Sequence, residues 1–193
     1  MNPIVLFYLL SYRKRLCCQR GLTAVELLVT ISILAIIASL AAHSFSGLLQ
    51  RWRVRQSLEA MHSAIFLARS EAIKRSGRVA LQRITDSMHC QPAATSHDWS
   101  CGWQVCVHAL GDQACADGAP VLQRFETLRG LQVQRSSLGE SIRFDRWGMP
   151  LAGFSFALAP KGKSWEDAAA RSLCTSRGGR VRMGDAASCT SRN

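Results

Sequence analysis

Three regimes of hydrophobic patterning follow one another along the chain. From Leu22 to Ala42 nearly every position is apolar (LTAVELLVTISILAIIASLAA), and the only charge is Glu26. As a helix rising about 1.5 Å per residue the run spans about 32 Å, enough to cross a bilayer. From Leu48 to Ser76 the pattern becomes amphipathic. Leu58, Met61, Ile65, Ala68 and Ala72 recur at helical spacing and draw one apolar stripe. Met61 and Phe66 are read as core or helix packing, and Arg51, Arg53 and Arg55 as a solvated or headgroup-facing turn. Glu71 is placed to pair with Arg75, and Lys74, Arg75 and then Gly77 supply the cations and C′ glycine that close a helix. Beyond Gly77 the period changes to alternation broken by turn residues. Strands are predicted over Val79–Thr85, Trp103–Ala109, Val121–Leu128, Leu131–Arg135, Ser141–Asp145, Gly153–Ala159, Ser172–Thr175 and Arg180–Met183. The polar stretches Gln91–Ser100 and Lys161–Asp167 read as surface loops. Short strands after one long helix predict an α+β fold, with an antiparallel sheet closing over the helix stripe.

Charge orients this arrangement. The 193-residue chain carries a formal charge of +11, and Arg13, Lys14, Arg15 and Arg20 all precede the apolar run. Basic residues stay on the cytoplasmic side of a spanning helix, so everything after Ala42 is expected outside the cytoplasm. The remaining positive surplus suits polyanions, nucleic acid or lipid headgroups, without choosing between them. Aromatic and charged contents of 7% and 19% fit a folded chain rather than a disordered one. Glu26 is the anomaly. A carboxylate costs about 2.5–3.5 kcal/mol at the centre of an inserted helix and less near its end, so it calls for a function.

The candidate chemistry lies in the cysteines and arginines. Cys17 and Cys18 precede the apolar run, whereas Cys90, Cys101, Cys106, Cys115, Cys174 and Cys189 follow it, an even set suited to an oxidising compartment. His89-Cys90 and Cys106-Val107-His108 supply metal-ligating atoms, but the cysteine spacings lack the tight CxxC knuckle of a zinc site, so no metal or cofactor is expected. The preferred disulfides are sequential, Cys90–Cys101, Cys106–Cys115 and Cys174–Cys189, because these close short loops around predicted turns. No GxSxG, HExxH or phosphate-cradling glycine loop occurs, and no enzymatic activity is expected. The last cysteine pair frames a basic loop, 174–189. Within it Arg180 and Arg182 are two apart on an extended strand and share a face. Arg177 precedes Gly178-Gly179, where backbone can approach a phosphate closely. Guanidinium groups bind phosphate oxygens bidentately. Arg171 and Arg192, with Lys161 and Lys163, lie near enough in sequence to add to the field. From composition alone, a solvated hairpin whose arginines bind nothing specific stands slightly ahead.

Gly21-Leu22-Thr23-Ala24-Val25-Glu26-Leu27-Leu28-Val29 resembles the type IV prepilin and pseudopilin signal. The resemblance implies residues 1–21 as a leader that a prepilin peptidase removes after Gly21. Leu22 then becomes a methylated N-terminus, residues 22–42 the transmembrane and assembly helix, 43–77 the amphipathic helix and 78–193 a β-rich head. It also implies that Glu26 neutralises the terminal amine of a neighbouring subunit in the low-dielectric filament core. His43 stands where many family members carry a helix-loosening proline, so no melted segment is expected there. The segments Leu67–Arg75, Gly102-Trp103, Ile142–Asp145 with Gly148, and Gly179-Arg180-Val181-Arg182 extend the resemblance to the FimT/GspH (H-type) minor subunits, with FimT nearer. The implied fold is type IV pilin-like. For a FimT-like subunit, the GRxR segment implies non-specific DNA binding in natural transformation through Arg177, Gly179, Arg180 and Arg182. The implied setting is an inner-membrane protein with a periplasmic head, later carried in a pilus with other pilins. The alternative is an H-type pseudopilin of a type II secretion system with a structural role.

Overall fold

The computed structural model describes residues 23–85, 90, 95–109, 112, 114–116, 118–185 and 189, and omits the side chains of residues 40–44. The leader, Gly21, Leu22 and Arg192 lie outside the described residues. The chain divides into two compact units, Met1–Ser44 and Phe45–Asn193.

A helix, α1, runs over Ala24–Lys74 and continues through His43. Thr23 caps its start. The Glu26 N–H donates to Thr23 Oγ1 at 3.2 Å, meeting one of the donors that a first turn leaves free. In the first unit every described side chain from Ala24 to Ser39 is exposed, including Val25, Leu28, Leu34 and Ile36. The hydroxyls on this apolar surface are satisfied within the helix: Thr30 donates to Leu27 O, Ser32 to Leu28 O and Ser39 to Ile36 O, at 2.9, 2.7 and 2.8 Å. Among the described residues no helix is long and apolar enough to cross a membrane. The expected span Leu22–Ala42 begins at a residue outside that set and ends where side chains are not described.

In the second unit the helical stripe is buried as its spacing requires, with Val54 and Ala64 joining Leu58, Met61, Ile65, Ala68 and Ala72. Phe66, read as core or helix packing, is 47% exposed and packs on the helix surface against His62, ring centroids 4.6 Å apart. It follows Ile65 by one residue, about 100° round the helix, and the Arg69 guanidinium lies 5.5 Å from its ring centroid. The helix ends in a Schellman-like turn, with Gly77 N–H donating to Ala72 O at 2.8 Å. The left-handed C′ residue is Ser76 (φ 56°) rather than Gly77, which follows it at φ 85°. Glycine is still needed at 77, one place beyond the C′ position, because a Cβ there would lie 2.9 Å from the Arg146 backbone nitrogen.

Glu71 accepts from Lys74 Nζ at 2.8 Å and Arg75 Nε at 2.9 Å, and these two bonds hold its carboxyl below the usual carboxylate range. A carboxylate whose folded pKa is depressed stabilises the native state above its unfolded pKa, and the contribution is lost as pH falls through the folded value. Glu71→Gln should therefore lower the urea midpoint at neutral pH, and the difference from wild type should close as the solution is acidified below about pH 4. A constant difference across that window would rule out the carboxylate as its source.

Among the described residues eight strands follow: β1 (Val79–Arg83), β2 (Gly102–Val107), β3 (Val121–Glu126), β4 (Leu131–Arg135), β5 (Ser141–Phe144), β6 (Phe154–Pro160), β7 (Arg171–Thr175) and β8 (Val181–Asp185). They form two four-stranded antiparallel sheets, ordered β3-β2-β1-β5 and β4-β6-β7-β8, in place of the single sheet expected. The chain crosses between the sheets after β3, after β4 and after β5. Leu81 of β1 pairs with Ile142 of β5, whereas Val133 of β4 pairs with Leu158 of β6. At the crossing after β4 the buried Arg135 donates through Nη1 to Gly139 O and Ser141 O, both at 3.0 Å, and burial pushes its pKa down. Side chains from α1 and both sheets share one core, including Met61, Ile65, Trp103, Phe144, Phe156 and Leu173.

The Gln91–Ser100 stretch is not wholly the surface loop expected. Trp99 within it is completely buried, edge-on to Phe156 with ring centroids 4.9 Å apart. Disulfides join Cys90 to Cys101, Cys106 to Cys115 and Cys174 to Cys189, with Cα separations of 5.3, 6.2 and 5.7 Å.

Candidate functional site

The β7–β8 hairpin carries the arginine segment. Thr175 pairs with Val181 at its end, and Ser176 organises the turn beyond. Ser176 N–H donates to Arg180 O at 3.0 Å, Gly179 N–H donates to Ser176 O at 2.9 Å, and Arg180 N–H donates to Ser176 Oγ at 3.2 Å. Gly179 has φ 76°, and a Cβ there would lie 2.8 Å from Arg69 Nη2 and 2.9 Å from Met149 Sδ. Glycine meets both demands without strain. Val181 is half-buried against the core, while Arg180 and Arg182 on either side of it, and Arg177 at the tip, are exposed. On the edge strand Arg182 stands opposite Cys174, itself joined to Cys189. Among the described residues none of these three guanidinium groups is in an ion pair.

The other cations expected to help are placed differently. Arg171 is engaged, 3.2 Å from Asp185 Oδ1 and donating to Ala168 O and Ala170 O at 3.0 and 2.8 Å. Lys161 and Lys163 are exposed but sit on the connection entering β7, at the end remote from the hairpin turn. A five-residue strand separates them, about 15 Å at the usual rise. Cys90, Cys101, Cys106 and Cys115, weighed above as metal ligands, are taken up in disulfides. Among the described residues no group of three or more metal-ligating side chains converges.

Arg69 is the residue that sequence reasoning missed. From α1 its Nη1 donates to Gly179 O at 2.8 Å and its Nε to Gly148 O at 2.9 Å, so one planar guanidinium ties the hairpin to the turn after β5. That turn is rigid in its own right. Asp145 Oδ1 accepts from Trp147 N–H at 2.8 Å and Met149 N–H at 2.9 Å, and Asp145 N–H donates to Met149 O at 2.8 Å. Arg69 was visible only as one cation within Leu67–Arg75. Its partners stand 79 and 110 residues away.

A long helix whose second half packs on antiparallel sheets, with a disulfide-bearing head, defines the type IV pilin-like class of minor subunit. Residues 57–179 match the model of the family described as "Type II transport protein GspH", and the chain belongs to that family. The fold is similar to that of the type IV minor pilin FimU of Pseudomonas aeruginosa in two crystal forms. One gives a TM-score of 0.54 at 22% identity, covering 72% of this chain and 92% of that one. The other gives 0.51 at 22% identity, covering 69% and 94%. The minor pseudopilin EpsH from the type 2 secretion system of Vibrio cholerae matches at a TM-score of 0.48 and 15% identity, over 69% of this chain and 97% of that one. No curated protein matches the sequence.

Proposed function

We propose that this chain is a FimT-like minor pilin that binds extracellular DNA through its β7–β8 hairpin and aids DNA uptake in natural transformation. The observation that carries the reading is the exposure of Arg177, Arg180 and Arg182 around a Gly179 turn fixed by Arg69. Phosphate contacts from guanidinium groups are independent of base sequence, and a hairpin already ordered loses little entropy when it binds. The excess of 24 basic over 13 acidic residues would draw a polyanion in.

In this reading a prepilin peptidase cleaves after Gly21 and Leu22 is methylated. The apolar half of α1 anchors the protein in the inner membrane with its head in the periplasm, then enters the pilus among other pilins. The exposed apolar side chains of that half and its internally bonded hydroxyls suit both settings. Glu26 meets a neighbour's terminal amine. The subunit binds and assembles and catalyses nothing.

The second reading, a minor pseudopilin of a type II secretion system with a structural role, is favoured by the description of the matched family. Salt-dependent DNA binding separates the two. The full chain in non-ionic detergent should bind duplex DNA. Arg180→Ala and Arg182→Ala should each weaken binding on all sequences and make the log–log salt slope shallower by about 0.9. Absence of binding by wild type at low salt would remove the DNA reading and leave the secretion subunit.

A further inference from the structure

Trp147 is out of place for a structural residue. Trp99 and Trp103 are completely buried, whereas Trp147 is 72% exposed. Its backbone is ordered: the backbone N–H of Trp147 is bound to Asp145 Oδ1, and the turn is closed on both sides of it. The next residue, Gly148, gives its carbonyl to Arg69, and the same guanidinium holds Gly179, the neighbour of Arg180. Arg69 thus ties the turn that carries Trp147 to the arginine hairpin, and the exposed Arg146 precedes Trp147 in the same turn. An exposed ring on an ordered turn, with that turn tied to a cationic hairpin, suits the way proteins grip a single nucleic-acid strand, with bases on the ring and phosphates on the guanidinium groups.

Resting on the DNA reading above, we propose that Trp147 is a base-stacking platform and that the preferred ligand of this surface is single-stranded DNA. In a duplex the bases are already stacked on each other, and a ring at the tip of a turn meets only backbone. On a free strand every base offers a face, so the contact is sequence-tolerant. An apolar protein partner suits the surface less well, because docking on Trp147 would strip water from Arg146, Arg177 and Arg180 without supplying anions in return.

The full chain in non-ionic detergent is titrated with oligo(dT) and with a mixed-sequence duplex. Wild type should bind both, the single strand more tightly. Trp147→Ala should weaken oligo(dT) binding about tenfold while leaving duplex affinity within about twofold. Stacking releases no counterions, so the salt slope for oligo(dT) should not change, unlike that of the arginine variants. Trp147→Phe should restore part of the affinity, and the fluorescence quenching lost in that variant should report the indole directly. If wild type binds DNA and Trp147→Ala binds oligo(dT) equally well, the platform is overturned and the arginine reading stands. If Trp147→Ala keeps DNA binding but fails to associate with other pilin subunits, the ring belongs to a protein interface and the proposal is equally overturned. If wild type binds neither ligand, both readings fall together.

Discussion

Replacing Trp99 with alanine should cost about 3–5 kcal/mol of stability, the usual range for deleting a fully buried aromatic side chain. In a chain of this length that is a fall in Tm of about 10 °C. The indole is completely buried against Phe156, and the Arg135 guanidinium lies 5.8 Å from its ring centroid. Its backbone N–H donates to Val133 O at 2.9 Å, so the residue fastens the loop before β2 to β4. Truncation removes the transfer free energy of the ring and leaves a cavity that two rigid sheets are poorly able to collapse. Trp99→Phe should cost much less. The indole N–H is buried without a partner among the described residues, so the smaller ring gives up no hydrogen bond. Urea unfolding of both variants with the disulfides intact checks this. A Trp99→Ala loss under about 1 kcal/mol would mean that the loop is not docked in solution.

That prediction falls on a residue whose role periodicity could not show. Trp99 is a lone large apolar side chain in a polar stretch, and neither a helical nor an alternating template scores it. It is held inside by the local disulfide from Cys90 to Cys101 and by a bridge between Asp98 and Gln134, the second of which depends on a distant part of the chain. Where burial follows from local spacing, the reading from residues is close. Leu58, Met61, Ile65, Ala68 and Ala72 are buried, and Leu131–Arg135 is a strand with the bounds expected. For Phe66, read as core or helix packing, its place on the helix wheel decided for packing on the helix surface against His62 and Arg69. The division into two sheets was equally hidden. Alternation tells each strand which face is apolar and says nothing of its neighbour, so it could not show that β4 and β5, joined by a short connection, each pair elsewhere. In the candidate site, Gly179, Arg180 and Arg182 were legible as a local motif, and the residue that fixes their geometry was not.

Arg69 offers the sharpest test of that geometry. Arg69→Lys keeps the net charge and much of the stem, yet a compact ammonium cannot reproduce a planar fork that reaches Gly148 O and Gly179 O together. Losing one charge-assisted bond should destabilise the protein by about 1.5–3 kcal/mol, and Arg69→Ala should cost more because both bonds go. For DNA the two kinds of arginine separate cleanly. Arg182 is exposed and, on the reading above, touches phosphate, so its removal lowers both affinity and salt slope. Arg69 is spent on two carbonyl groups, and its replacement by lysine frees the hairpin to sample arrangements that no longer match the strand. Affinity should fall, by about tenfold if the order lost is worth about 1.4 kcal/mol, with the slope of log K against log salt unchanged. A reduced slope in Arg69→Lys would make Arg69 itself a phosphate contact. Wild-type affinity in Arg69→Lys, with the stability loss present, would mean that the internal bonds of Ser176 hold the hairpin ready without help from the helix.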